Sequence, residues 1–324
     1  MATVEMDFLH GQLEERMRRL QAAIALNPQD SNLSVLLHEV DSALDRFAAG
    51  TYGLCEECHD TVERERLLAD PLVRFCLDHL SKLERADLQR DLDLASELQR
   101  RLLPPADLTA AGWETSYHYA PVGPVSGDYC DLYAPDGLLF FVLGDVSGKG
   151  VAASLRMTQL NALFRSLIGM GLSLPEIMVH VNRFLCDSAL AGQYATLVCG
   201  QAQSGGDVEI FNAGHLPVIV ARQNSVETIE STGLPLGMFH EALFVPSRLK
   251  LGEGDMLFLY TDGLSEARGE NDEYGIDRLL HLVGRQCACS AAGLVSACLE
   301  DVRGFAGTNP AFDDLTLLAL RRSN

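Results

Sequence analysis

Four short acidic motifs are spread over the last two-thirds of this 324-residue chain: Ser126-Gly127-Asp128, Gly144-Asp145-Val146-Ser147-Gly148, Tyr260-Thr261-Asp262-Gly263 and Asp313-Asp314-Leu315-Thr316. Each begins or ends an apolar run. Carboxylates at the tips of buried strands, beside glycines that admit close backbone approach, suit a hard cation, because Mg²⁺ and Mn²⁺ take oxygen ligands. A single Asp-Gly reads as a turn. Four such sites, each abutting a hydrophobic strand, point instead to one dinuclear centre. A second set has softer chemistry: Cys55-Glu56-Glu57-Cys58 is followed, after seventeen residues, by Cys76-Leu77-Asp78-His79. Two ligand pairs, each spaced to wrap a turn around one ion, match a tetrahedral structural Zn²⁺ site of Cys₃His type.

Two helical segments precede the cysteines. Met6, Leu9, Leu13, Met17, Leu20 and Ile24 keep helical spacing, residues 27–31 around Pro28 break it, and Leu33, Leu36, Leu37, Val40, Leu44 and Phe47 resume it. After the cysteines, residues 80–103 form a charged helical connector closed by Pro104-Pro105. Its stripe of Leu88, Leu92, Ala95, Gln99 and Leu102 advances by alternating steps of four and three, as in a short coiled coil.

Beyond Pro105 the period changes. Short β-branched or aromatic runs at 115–120, 129–133, 138–143, 195–202, 208–212, 218–221 and 256–260 are separated by Gly, Pro and Asp, and helical patterns fall at 151–170, 174–190, 275–284 and 290–305. Strands and helices in separate blocks indicate α+β rather than alternating βαβ units. The strand 138–143 delivers Asp145 to its end, and the strand 256–260 does the same for Asp262.

The composition is that of a globular chain, 47% hydrophobic and 22% charged, with a formal charge of −20. That charge and the lack of any Lys/Arg-rich stretch exclude a nucleic-acid surface. The N-terminus has no secretory signal pattern, no apolar run is long enough to span a membrane, and the nine cysteines are odd in number. A cytoplasmic location with reduced thiols is therefore expected. No phosphate-binding Gly-rich loop or dinucleotide fingerprint is present.

The string from Gly50 to His79, preceded by a helical hairpin, resembles the zinc-finger region of the DksA/TraR family of RNA-polymerase-associated regulators over about residues 1–80. Here His79 stands in place of the last cysteine, and the hairpin is short, turning at Pro28. A sensing, dimerising or docking module is therefore expected ahead of a polymerase-binding one. Farther on, PVSGDYCDLY, FFVLGDVSGKGVAASL, YATLVCGQ, FNAGHLPVIV, GLPLGMF, GDMLFLYTDGLSEA and DDLTLLAL occur in that order. They resemble the type 2C metal-dependent serine/threonine protein phosphatases, in their bacterial SpoIIE/RsbU branch, over about residues 90–322.

The resemblance implies a four-layer α-β-β-α sandwich at 106–324, after the finger module (1–80) and the connector (81–105). It implies two Mn²⁺ or Mg²⁺ ions bridged by Asp145, with the carbonyl of Val146 on one of them. Asp262 and Asp313 would hold the second ion, and Asp128 would coordinate directly or through water, with Asp131 and Asp314 as supporting or alternative ligands. It further implies hydrolysis of phosphoserine or phosphothreonine by a metal-activated water, on a substrate such as an anti-sigma-factor antagonist. Dimerisation through the N-terminal region is a further expectation. The contrasting reading is a zinc-finger transcription regulator that binds RNA polymerase and carries a non-catalytic phosphatase-like domain. Residues 117–127 contain no arginine to clamp phosphate, and Ser147 and Lys149 stand where relatives place histidines. His215, a histidine before Pro at a strand end, is read as a turn or packing element.

Overall fold

The computed structural model describes residues 3–26, 31–79, 82–135, 137–188, 193–223, 225–269, 272–311 and 313–323. The predicted helix break at 27–30 and the start of the connector at 80–81 lie outside them. The chain divides into two compact units, Met1–Asp91 and Leu92–Asn324.

In the first unit, helices α1 (Thr3–Leu26) and α2 (Ser31–Ala48) pack on each other, and α3 (Arg64–Ala69) follows the first cysteine pair. Leu9, Leu13, Val40 and Ala43 share one buried cluster with Tyr52, Cys55, Val62, Leu67 and Cys76. The finger therefore has an apolar core as well as its ligands. Phe47 stacks on Tyr52 with ring centroids 3.7 Å apart, and the Tyr52 hydroxyl donates to the Pro71 carbonyl at 2.9 Å. Helix α4 (Lys82–Arg100) contains the boundary between the units.

The second unit is built on two antiparallel sheets. The first runs in the order β3 (Asp128–Tyr133), β4 (Leu138–Val146), β5 (Ala195–Gln203), β6 (Asp207–Ala213), β9 (Ser247–Lys250). The second runs β1 (Asp107–Ala110), β2 (Trp113–Ala120), β11 (Leu315–Arg322), β10 (Met256–Tyr260), β7 (Val218–Arg222), β8 (Ser225–Ile229). Four helices cover them: α5 (Gly150–Gly169) and α6 (Leu174–Ser188), then α8 (Gly275–Arg285) and α9 (Ala291–Ala306), with the single turn α7 (Asp262–Ser265) after β10.

The period-two alternation of the strands generates the layers. On β4, Phe140 and Val142 face the α5 and α6 side with Met157, Phe164 and Ile177, whereas Leu139, Phe141 and Leu143 meet Leu257, Leu259, Leu318 and Leu320 between the sheets. On the far side, Phe258, Tyr260, Leu317 and Ala319 pack against Leu279, Val283, Leu294 and Cys298 of α8 and α9. The four-layer α-β-β-α sandwich expected from the motifs is the observed architecture. Strands β1, β8 and β9, which no run in the sequence marked, are short edge-region strands. Leu88, assigned to the connector stripe, is 46% exposed, so the stripe does not extend to it as a buried seam.

Candidate metal centre

Asp128 opens β3 and Asp145 lies near the end of β4, and the two are directly opposite in the antiparallel register. Asp262 opens α7 immediately after β10, and Asp313 stands two residues before β11, the neighbour of β10. Each sheet thus contributes two of the four acidic motifs. Hydroxyls stitch them together across the sandwich: Thr261 Oγ1 and Thr316 Oγ1 both donate to Asp128 Oδ2, at 3.0 and 2.5 Å, and Thr316 N donates to Thr261 Oγ1 at 2.9 Å.

Close backbone approach at two glycines permits this. A Cβ on Gly127 would stand 3.0 Å from the Val146 carbonyl oxygen and 3.3 Å from Asp145 Oδ1, and one on Gly263 would stand 2.1 Å from the Asp314 carbonyl oxygen. Only glycine fits at position 263, and a side chain at 127 would be tightly packed.

The charges are crowded. Burial, followed by the nearby charges of Asp262, Asp313 and Asp314, raises Asp145 from an ordinary 3.8 to about 7. Burial and the Asp313 charge raise Asp262, and burial raises Asp128 strongly against the pull of the two threonine hydroxyls. Lys149 Nζ offsets part of this from 2.8 Å at Asp313 Oδ2. A cleft of about 320 Å³ opens beside them, bordered by Asp145, Ser147, Thr196, His215, Asp262 and Glu266. An all-oxygen donor set held in mutual repulsion fits hard divalent cations, which would relieve that repulsion.

The adjacent aspartates of the last motif have different surroundings. Asp314 accepts from the backbone N–H of Val122 at 2.7 Å and of Gly127 at 3.3 Å, which ties the loop before β3 to β11. Asp313 instead meets Lys149 beside the cleft. Asp131 is not part of the centre. It alternates to the opposite face of β3, where Arg165 of α5 clasps it at 2.7 and 2.5 Å, with Asn161 Nδ2 at 3.4 Å. The supporting role that the resemblance suggested for Asp131 is corrected by this alternation.

His215 is more involved than a turn. Its Nε2 lies 3.1 Å from the Tyr260 carbonyl, which can only accept, so Nε2 carries the proton and Nδ1 accepts from the Thr196 hydroxyl at 2.9 Å. Thr196 is the register partner of Asp145, and Tyr260 lies two residues before Asp262. His215 thus braces one sheet against the other beneath the cleft. Burial, partly opposed by the Tyr260 carbonyl, lowers it to about 4, so it is neutral at physiological pH. Thr196, Thr261, Thr316 and His215 were not placed in the site from sequence. The only available sign was polar residues set in otherwise apolar strand ends.

The cysteine set is compact. The ligand atoms of Cys55, Cys58, Cys76 and His79 all lie within 4.8 Å of one another, and among the described residues no other His/Cys/Asp/Glu group is gathered that tightly. Cys76 Sγ is 3.2 Å from His79 Nδ1 and 3.7 Å from Cys58 Sγ. Although burial works against it, backbone N–H groups of Cys58, Cys76 and Glu57 draw the Cys55 thiol down to about 6. Three thiols and an imidazole around one point form a metal-binding set that fits a tetrahedral soft or borderline ion.

Two face-to-face antiparallel sheets between helix pairs, with carboxylates of both sheets gathered at one end, define a PP2C-type fold. The SiaA-PP2C domain of Pseudomonas aeruginosa superposes with a TM-score of 0.65 at 18% identity, over 73% of this chain and 98% of that one. Residues 135–323 match the family Stage II sporulation protein E (SpoIIE), and residues 50–79 match the prokaryotic dksA/traR C4-type zinc finger. The chain belongs to the SpoIIE family and carries a dksA/traR-type finger, with His79 at the fourth ligand position. Among curated relatives, Protein IcfG of Synechocystis sp. is 27% identical over 264 residues, covering 72% of this chain and 42% of IcfG. Phosphoserine phosphatase RsbU of Bacillus subtilis is 25% identical over 241 residues, covering 73% of this chain and 71% of RsbU. The chain thus spans less than half of IcfG. Among the described residues, no helix is long and apolar enough to cross a membrane.

Proposed function

We propose that the protein is a metal-dependent phosphatase that removes phosphate from phosphoserine or phosphothreonine of a protein substrate. The observation that carries this reading is the crowding of Asp145, Asp262 and Asp313 from two sheets, with Asp145 raised to about 7 and Asp145 and Asp262 both on the cleft. Asp145, the Val146 carbonyl, Asp262 and Asp313 would hold the ions, and Asp128 would coordinate directly or through water from its buried position. Mn²⁺ or Mg²⁺ held there would supply Lewis acidity for hydrolysis of a phosphate ester by water. Thr261 and Thr316 fix Asp128, His215 holds the two strand ends together, and Lys149 places a cation beside Asp313, where a phosphate could be drawn in.

The Cys55, Cys58, Cys76 and His79 set holds one structural Zn²⁺. The RsbU-like sequence favours a phosphorylated anti-sigma-factor antagonist as substrate. The nine unpaired thiols favour action in the cytoplasm. Purified protein with Mn²⁺ is expected to hydrolyse a generic phosphate ester and a phosphoserine peptide, and Asp145→Asn is expected to abolish both. Undiminished turnover by that variant, or turnover without divalent metal, would overturn the mechanism.

A further inference from the structure

Gln99 is a buried polar residue, 4% exposed, near the end of a helix whose neighbouring positions are largely polar and exposed. Both ends of its amide are used. Nε2 donates to the Ser126 carbonyl at 2.7 Å and lies 3.3 Å from Ser154 Oγ, while Oε1 accepts from Ser126 N at 3.0 Å. Because Ser126 presents one donor and one acceptor, only one orientation of the amide satisfies both. The side chain therefore grips a single backbone residue at two points, replacing the ladder partner that Ser126 lacks ahead of β3.

From Ser126 the constraint passes directly into the acidic centre. Asp128 N donates to Ser126 Oγ at 2.9 Å, so the turn that aims Asp128 is built on the gripped residue. Between them, Gly127 accepts from Val146 N at 3.3 Å, and a Cβ there would stand 3.3 Å from Asp145 Oδ1, a tight contact. The third contact of Gln99 is Ser154, on α5, the helix that starts directly after the Asp145 motif. One side chain thus touches one acidic motif and the helix that follows another.

We propose that Gln99 is a positioning residue that holds the Asp128 loop against the Asp145 loop and thereby sets the affinity of the acidic centre for its divalent cation. The proposal rests on the reading of that centre as the metal site. Residues that orient a metal's ligands typically change affinity by about 10- to 100-fold when removed. The test uses the full-length protein with its finger metal in place. Mn²⁺ binding is measured from the electron paramagnetic resonance signal of free Mn²⁺, with Asp145→Asn as the background to subtract, and turnover of a phosphate ester is followed against Mn²⁺ concentration.

Gln99→Leu, which keeps the volume and removes both polar ends, is expected to weaken Mn²⁺ binding about 10- to 100-fold. Its turnover at saturating Mn²⁺ should fall by a smaller factor. Gln99→Glu, which keeps the acceptor for Ser126 N but loses the donors, and Ser154→Ala, which removes only the 3.3 Å contact, should give smaller shifts in that order. These two decide the matter if Gln99→Leu does not fold. Wild-type affinity within twofold in the folded Gln99 variants overturns the role of Gln99 while leaving the metal centre intact. Failure of the wild type to bind Mn²⁺ above the Asp145→Asn background overturns the metal centre itself, and the proposal with it.

Discussion

Asp145→Asn should do opposite things to stability with and without divalent metal. Burial and three neighbouring carboxylates lift Asp145 from 3.8 to about 7. At about 1.4 kcal/mol per pKa unit, ionising this group in the folded metal-free protein costs about 4 kcal/mol, or about 2 kcal/mol once water reaching the partly exposed side chain is allowed for. Because the folded pKa is raised, no cost arises below pH 3.8, where the carboxyl is protonated in both states. The cost grows as pH rises from 3.8 to about 7 and is constant above that. Asparagine never ionises, so the metal-free variant should match the wild type near pH 4 and exceed it at pH 8. For a unit of this size about 2 kcal/mol corresponds to roughly 4–8 °C in Tm. The chain's single tryptophan, Trp113, is fully buried in the second unit, and its fluorescence reports that unit's melting. Added Mn²⁺ at a hundred times its Kd should stabilise the wild type by about 2.7 kcal/mol and the variant far less, reversing their order. A metal-free variant that melts below the wild type at pH 8, or one that Mn²⁺ stabilises equally, would refute the charge-crowding argument.

Three further outcomes follow from the surrounding contacts. Arg165→Ala leaves the buried Asp131 carboxylate unpaired and should cost about 3 kcal/mol in urea unfolding, while Mn²⁺ affinity stays within twofold of wild type. A large loss of affinity would return Asp131 to the metal centre. His215→Phe removes the partner of both the Thr196 hydroxyl and the Tyr260 carbonyl and should cost about 1–3 kcal/mol for each group left unsatisfied. Since His215 itself titrates at about 4, the pH–rate profile above pH 6 should keep its shape even as turnover falls, and a lost limb near neutrality would mean that His215 handles a proton. His79→Ala should lower bound zinc below one per chain by atomic absorption and abolish protection of the finger amides in hydrogen exchange, because binding of a structural Zn²⁺ supplies folding energy. Full zinc content in that variant would remove His79 from the ligand set.

Much of the architecture was legible because strands of this sandwich are either uniformly apolar or sharply punctuated. Leu138 to Leu143 and Met256 to Tyr260 are buried on both faces, once by a helix pair and once by the opposing sheet, so their continuous apolar character announces strands. The same strands lead into Asp145 and Asp262, which is why the acidic motifs are legible in the sequence. Strands β1, β8 and β9 escaped notice for the converse reason. Ser225–Ile229 and Ser247–Lys250 alternate half-buried with exposed residues over only five and four positions, which is too few to distinguish from a loop.

What the sequence did not carry was the partner of each carboxylate across the sandwich, and that partner sets what the carboxylate does. Asp128 and Asp131 lie three residues apart on one strand, yet strand alternation sends one to two threonine hydroxyls between the sheets and the other to Arg165 under α5. Asp313 and Asp314 are neighbours, yet one meets a lysine beside the cleft while the other serves backbone N–H groups of a loop almost two hundred residues earlier. Thr316 donates to Asp128 from 188 positions away, and Gln99 reaches Ser126 from a helix that reads as a coiled-coil stripe. Such pairings follow from strand order, in which β11 comes to lie beside β10 and β2, and order of that kind is a property of the whole folded sheet. A motif therefore names the groups that meet a cation, while the tertiary fold chooses which oxygen of each is left to do so.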